Sequence, residues 1–197
     1  MSLLEAHKLN IAEKGFQPDV PQMEVARVLE MIHDRLLKKR SEFVLSRFWT
    51  WLQSGSSQPP TTGLYLWGGV GRGKTYLMDL FFEHLPFEDK LRMHFHRFML
   101  RVHMEMTELA GTVNPLQTVA DRLTEEGRVL CFDEFFVEDV ADAMILGELL
   151  EALFDRGVTL VVTSNIAPSR LYENGLQRRR FLSAIERIDR HMRVMHL

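Results

Sequence analysis

The sequence is poor in cysteine, in long apolar runs and in net charge. Its single cysteine, Cys131, stands among 197 residues. An intrachain disulfide is therefore excluded, and a reducing compartment fits. No apolar stretch reaches the roughly 18 residues that a membrane-spanning helix needs. The opening segment, MSLLEAHKLNIAEKGF, carries Glu5 and Glu13 and no apolar run. Neither a secretory signal nor a transit peptide is expected from it. The formal net charge is −3, so no bulk attraction draws the chain to nucleic acid or to an anionic membrane, although a local basic patch can still act. Internal repeats and low-complexity tracts are absent.

What is present is ordinary globular material. Hydrophobic residues make up 46% and charged residues 26%, close to average usage. The length fits one domain with an added N-terminal arm and suffices to bury a core. Over residues 1 to 20 a short helix and then a turn are expected, ending at Pro18 and Pro21. From Gln22 to about Lys39, Val25, Val28, Leu29, Ile32 and Leu36 mark one helical face. The basic run Lys38, Lys39 and Arg40 would close that helix, where the dipole favours cations. The aromatic stretch at residues 42–52 reads as a second short helix, with Trp49 and Trp51 packing. SGSSQPPTT, residues 54–62, reads as a linker. The arm and linker are assigned to residues 1–58 and the core domain to residues 59–197.

Beyond the linker, strand-length apolar runs alternate with helical segments. Strands are expected at Gly63 to Trp67, Leu91 to Phe98, Val129 to Phe132, Val158 to Thr163 and Met192 to Leu197. Helices are expected at Lys74 to His84, Met99 to Ala110, Pro115 to Glu125, Val140 to Phe154 and Arg178 to Asp189. That alternation gives an α/β fold with a mostly parallel sheet covered on both faces.

Four motifs carry chemistry. GGVGRGKT, comprising Gly68, Gly69, Val70, Gly71, Arg72, Gly73, Lys74 and Thr75, fits G-x-x-x-x-G-K-[ST] between a strand and a helix. Its fixed positions match by chance in roughly 1% of chains this long. Glycines let the backbone curl so that its N–H groups face phosphate oxygens, at a helix N-terminus where the dipole also favours anions. Lys74 would reach the β- and γ-phosphates and Thr75 would ligate Mg²⁺. The strand VLCFDEF ends in Asp133 and Glu134, at the edge of a parallel sheet where ligands bind. Asp133 would hold Mg²⁺, and Glu134 would polarise the attacking water. VVTSN places Asn165 after another apolar strand, as a sensor of the γ-phosphate or as a cap on the next turn. QRRRF sets Arg178, Arg179 and Arg180 at a helix start, where the dipole disfavours cations. They form either an arginine donor acting in trans on a neighbouring subunit or a solvated patch. The expected cofactors are ATP and Mg²⁺.

Weaker signals have simpler readings. His94 and His96 would share one face of the strand at Leu91 to Phe98. With no third ligand placed, ordinary hydrogen-bonded histidines are preferred over a metal site. Cys131, inside the Asp-Glu strand, is expected to be a small buried hydrophobe.

The runs GLYLWGGVGRGKTYLMDLFFEHLP, RMHFHRFMLRVH, CFDEFFVEDVADAMILGELLEALFDRGV and TSNIAPSRLYENGLQRRRFLSAI resemble the ZapE-type AAA+ ATPases of bacterial cell division, which have mitochondrial relatives. The resemblance covers about residues 63 to 197 and, more loosely, GFQPDVPQ in the arm. It implies an AAA+ core with five strands, a P-loop NTPase fold. It implies nucleotide and Mg²⁺ roles for Lys74 and Thr75, Mg²⁺ binding and hydrolysis for Asp133 and Glu134, and a first sensor at Asn165. It also implies Arg178 as the arginine acting in trans, with Arg180 second, in a homo-oligomeric ring. A cytoplasmic protein is expected, peripheral to the inner membrane, whose partner is the tubulin-like division protein FtsZ. Family members carry a small helical lid past the last strand, so the expectation for these residues is a core without that lid. The alternatives are a nucleotide-dependent scaffold without efficient hydrolysis and a P-loop small-molecule kinase. A kinase has no need of a water-activating Glu134, and a DNA-bound loader fits poorly with the −3 charge.

Overall fold

A computed structural model of the chain describes residues 2–13, 19–46 and 61–197, with side chains of the second segment described through residue 39. The described elements are α1 (Leu3–Glu13), α2 (Val20–Ser46), β1 (Gly63–Trp67), α3 (Lys74–His84), β2 (Lys90–His94), α4 (Phe95–Glu108), α5 (Pro115–Glu126), β3 (Val129–Asp133), α6 (Val140–Asp155), β4 (Thr159–Ser164), α7 (Arg178–His191) and β5 (Met192–His196). A single 3-10 turn spans Pro168–Arg170.

All five strands run parallel, in the order β2-β3-β4-β1-β5. Side chains alternate across the sheet, as the period of 2 requires. Leu64, Leu66, Val129, Cys131 and Val161 face α1, α2 and α3. Tyr65, Leu130, Phe132, Leu160 and Val162 face the helices α4 to α7. Both faces are therefore dry, which is why Val129 to Phe132 in β3 and Leu160 to Val162 in β4 read as continuous apolar runs rather than as alternating ones.

Two expectations change. The strand expected over Leu91 to Phe98 stops at His94, and α4 begins at Phe95. Phe95, Phe98, Met99 and Val102 are buried at helical spacing, so the 3.6-residue period takes over four residues earlier than expected. His94 and His96 consequently do not share a strand face. Their rings lie 6.1 Å apart, and no group of three metal-ligating side chains occurs among the described residues. The helix expected to close at Lys39 instead continues to Ser46. Lys38, Lys39 and Arg40 are thus interior to α2, and residues 42–46 belong to it rather than to a second helix. Trp49, Trp51, most of the expected linker and the boundary at residue 58 lie outside the described residues.

The arm packs as part of the core. Leu3, Ala6, Val25, Leu29 and Ile32 join Leu77, Met78 and Phe81 of α3 in one buried cluster. His7 is fully buried there. Its Nδ1 lies 3.3 Å from the Tyr76 hydroxyl, to which Asn10 Nδ2 also donates at 3.1 Å. Its Nε2 is buried without a partner, and burial lowers its pKa from the ordinary 6.5. An imidazole whose folded pKa is depressed binds a proton more readily in the unfolded chain, so its stability contribution is present in full above the unfolded value of about 6.5 and is lost as pH falls from there through the folded pKa. We expect the thermal midpoint to fall between about pH 7.5 and about pH 5.5, and His7→Gln to narrow that fall. The fall should not vanish, because burial also lowers the pKa of His191. An unchanged pH dependence in the variant would remove His7 from the explanation.

Candidate active site

The site forms where β1, β3 and β4 end side by side. Beyond Trp67 the chain turns at Gly68, whose φ is +149°. A Cβ there would sit 2.0 Å from the Leu197 carbonyl oxygen, so only glycine fits between the loop and the end of β5. Gly68 N–H donates to the Ser164 carbonyl at 3.2 Å, tying the loop to the end of β4. Gly73, with φ +86°, delivers the chain into α3. The first backbone N–H groups of α3, from Lys74 onward, have no acceptor within the helix and lie at its positive end.

Lys74 is only 8% exposed although it is charged. Its ammonium donates to the Gly68 carbonyl at 2.8 Å, the Gly69 carbonyl at 2.7 Å and Asn165 Oδ1 at 3.0 Å. Burial draws its pKa below the ordinary lysine value, and the nearby Asp133 charge opposes that. The third acceptor matters most for function, because it joins the P-loop lysine to the residue expected to sense the γ-phosphate. The same bond shows Asn165 turned toward the loop.

Asp133, 4% exposed, closes the other side. Its Oδ1 accepts from Thr75 Oγ1 at 3.2 Å, from Glu134 N–H at 3.2 Å and from Thr163 Oγ1. Thr75 and Asp133 thus present two hard oxygens side by side at the N-terminus of α3. That donor set fits Mg²⁺, which takes oxygen ligands and keeps several waters.

Glu134 follows with φ +55°. A non-glycine residue in the left-handed region is uncommon and clusters at functional positions. Three contacts hold it there. Its N–H reaches Asp133 Oδ1 and Thr163 Oγ1, and the next N–H, of Phe135, donates to the Thr163 carbonyl at 2.7 Å. The turn throws the Glu134 side chain outward to 71% exposure, beside His94, whose Nδ1 is 3.7 Å from Glu134 Oε2.

The structure therefore gathers Gly68, Gly69, Lys74, Thr75, Asp133, Glu134 and Asn165. Val70 and Arg72 ride on the outside of the loop. The Arg72 carbonyl accepts from Gln22 Nε2 at 3.0 Å, and its guanidinium lies 3.9 Å from Asp19, so the start of α2 buttresses the loop. Arg178 stands apart. Its Nη2 donates to the Ser169 carbonyl at 2.6 Å, and among the described residues no hydrogen bond or ion pair joins it to the P-loop cluster. Arg179 and Arg180 are exposed.

Sequence reasoning missed three contributors. Thr163 was visible only as a strand residue, although a hydroxyl in an otherwise apolar run is a signal. His94 alternates with His96 in the sequence, whereas the fold sets it beside Glu134. Arg92, on β2, lies 3.5 Å from Asp133 Oδ2. A cation inside a half-buried strand was the available clue.

The AFG1-like ATPase family model matches residues 1–197. The chain is 52% identical over 193 residues to the cell division protein ZapE of Escherichia coli K12, covering 94% of this chain and 51% of that protein. It is 43% identical over 157 residues to lactation elevated protein 1 homolog B of Danio rerio, covering 74% of this chain and 31% of that one. It thus spans about half the length of the ZapE that it matches. Among solved structures it is similar to the DnaC helicase loader, with a TM-score of 0.58 and 14% identity over 93% of this chain and 94% of that one; at that identity the likeness concerns the fold alone. With the five-stranded parallel sheet, these matches make the chain a ZapE-type AAA+ member of the AFG1-like ATPase family.

Proposed function

We propose that this chain binds ATP with Mg²⁺ and hydrolyses it, and that the hydrolysis drives work on a protein partner in bacterial cell division. The observation that carries the reading is the joined cluster of Lys74 with Asn165 and of Thr75 with Asp133, with Glu134 projecting beside it. In the ATP-bound protein, Lys74 would leave the Gly68 and Gly69 carbonyls for the β- and γ-phosphates. Asn165, already within reach of the Lys74 ammonium, would meet the γ-phosphate. Glu134 would take up the proton of the attacking water. Mg²⁺ held by Thr75 and Asp133 would offset charge on the phosphates.

The division role rests on the name of the E. coli relative, and FtsZ is the proposed partner. No helix among the described residues is long and apolar enough to cross a membrane. The proposed location is the cytoplasm, at the periphery of the inner membrane.

A homo-oligomer with an arginine acting in trans completes the proposal, with Arg178 as first candidate and Arg180 as second. Arg178 would have to exchange its bond to Ser169 for a phosphate across the subunit boundary. The test is phosphate release from ATP and Mg²⁺. Wild type should release phosphate, and Arg178→Ala should lower the rate by about a thousandfold. Mixing Arg178→Ala with Lys74→Ala subunits should restore turnover, because each supplies what the other lacks. Failure of the mixture to recover counts against a trans arginine at this position. ATP binding without release by wild type would favour the scaffold reading.

A further inference from the structure

Asp133 has two oxygens in different company. Oδ1 takes all three hydrogen bonds, from Thr75, Thr163 and the Glu134 N–H. Oδ2 faces the Arg92 guanidinium at 3.5 Å. That same Arg92 Nη2 lies 2.5 Å from Asp79 Oδ1. Asp79 stands four residues after Thr75, so both project from one face of α3. Arg92 pairs in register with Cys131 on β3, two residues before Asp133 on the same face of the sheet. One guanidinium thus lies between two carboxylates, closer to Asp79. Both contacts use Nη2 and the Nε is buried without a partner, so no Nε–Nη2 fork grips either acid. Burial raises the Asp79 pKa while Arg92 opposes the rise, as expected of a carboxylate that depends on its cation.

We infer that Arg92 and Asp79 form a positioning pair that sets the Mg²⁺ affinity of the site. The inference rests on Asp133 being the carboxylate on the metal side. Arg92 neutralises that buried carboxylate and competes with a divalent ion for it. Asp79 draws the guanidinium away and weakens the competition. A unit charge about 6 Å from a divalent ion lowers ion affinity roughly tenfold even at the dielectric constant of water. A pair serving stability alone would lower the thermal midpoint when either member is lost. It would not move Mg²⁺ affinity in opposite directions.

The readout is the Mg²⁺ concentration that half-maximally enhances binding of a fluorescent, non-hydrolysable ATP analogue. Arg92→Met should lower it by about tenfold, and Arg92→Lys should return it toward the wild-type value. Asp79→Asn should raise it several-fold, because Arg92 then rests wholly on Asp133. Shifts below about twofold, or both variants shifting the same way, overturn the inference. If Arg92→Met fails to fold, Asp79→Asn carries the test alone. Asp133→Asn separates the two levels. If it abolishes the Mg²⁺ enhancement while the Arg92 and Asp79 variants do nothing, only the inference fails. If Asp133→Asn leaves the enhancement intact, the metal assignment fails and the inference with it.

Discussion

Glu134→Gln should leave ATP binding close to wild type and lower phosphate release by about a hundredfold to ten-thousandfold, the range of a lost general base. The structure makes this substitution unusually clean. The contacts that fix the left-handed turn at Glu134 come from its backbone N–H and from Phe135, so the amide variant keeps them. The side chain is 71% exposed, so the core loses nothing. Size is retained, and what disappears is the negative charge together with the capacity to accept a proton. Nucleotide affinity measured by fluorescence and turnover measured by phosphate release should therefore separate. Normal hydrolysis by the variant would show that the base lies elsewhere, with His94, whose Nδ1 is 3.7 Å from Glu134 Oε2, the next candidate.

Lys74→Ala should weaken ATP binding by at least about a hundredfold, since it removes charge-assisted bonds each worth roughly 1.5–3 kcal/mol. Here binding and hydrolysis should fall together, in contrast to Glu134→Gln. The ammonium also ties the loop to β4 through Asn165, so the free protein should lose some order in the loop. Comparing Lys74→Ala with Lys74→Met, which keeps most of the apolar stem, separates lost charge from lost packing. Both should bind poorly. Wild-type affinity in the methionine variant would mean that the buried ammonium is structural and the phosphates are bound by backbone alone.

Much of this site was legible in the sequence, for a physical reason. The phosphate loop must have Gly68 and Gly73, where the backbone takes φ of +149° and +86°. Such demands are local, and they leave a fixed spelling. Asp133 and Asn165 were legible because apolar strands buried on both faces end abruptly in polar residues at the sheet edge. The parts that were not legible depend on what the sheet order brings together. Nothing near Arg92 in the chain announces Asp79 or Asp133; only the β2-β3 pairing and the packing of α3 on that face do so. The turn from β2 to α4 was misplaced because Leu91, Met93 and Phe95 alternate like a strand while Phe95, Phe98, Met99 and Val102 repeat like a helix. Phe95 belongs to both patterns, and burial against Phe132 and Phe135 decides for the helix.

The strand order also fixes a schedule. Strand β1, which carries the phosphate loop, lies between β4 and β5, yet it is the first strand of the sheet to be synthesised. Leu64 meets Val161 on one edge and Arg193 on the other. At about 5–20 residues per second, the ribosome needs roughly 5 to 20 s to produce the first of these neighbours. Through that interval the apolar segment GLYLW has no native partner along either edge. The nucleotide site is thus spelled out early in translation and assembled late. Slow or interrupted synthesis anywhere between α3 and β5 would leave the phosphate loop without the floor against which it closes.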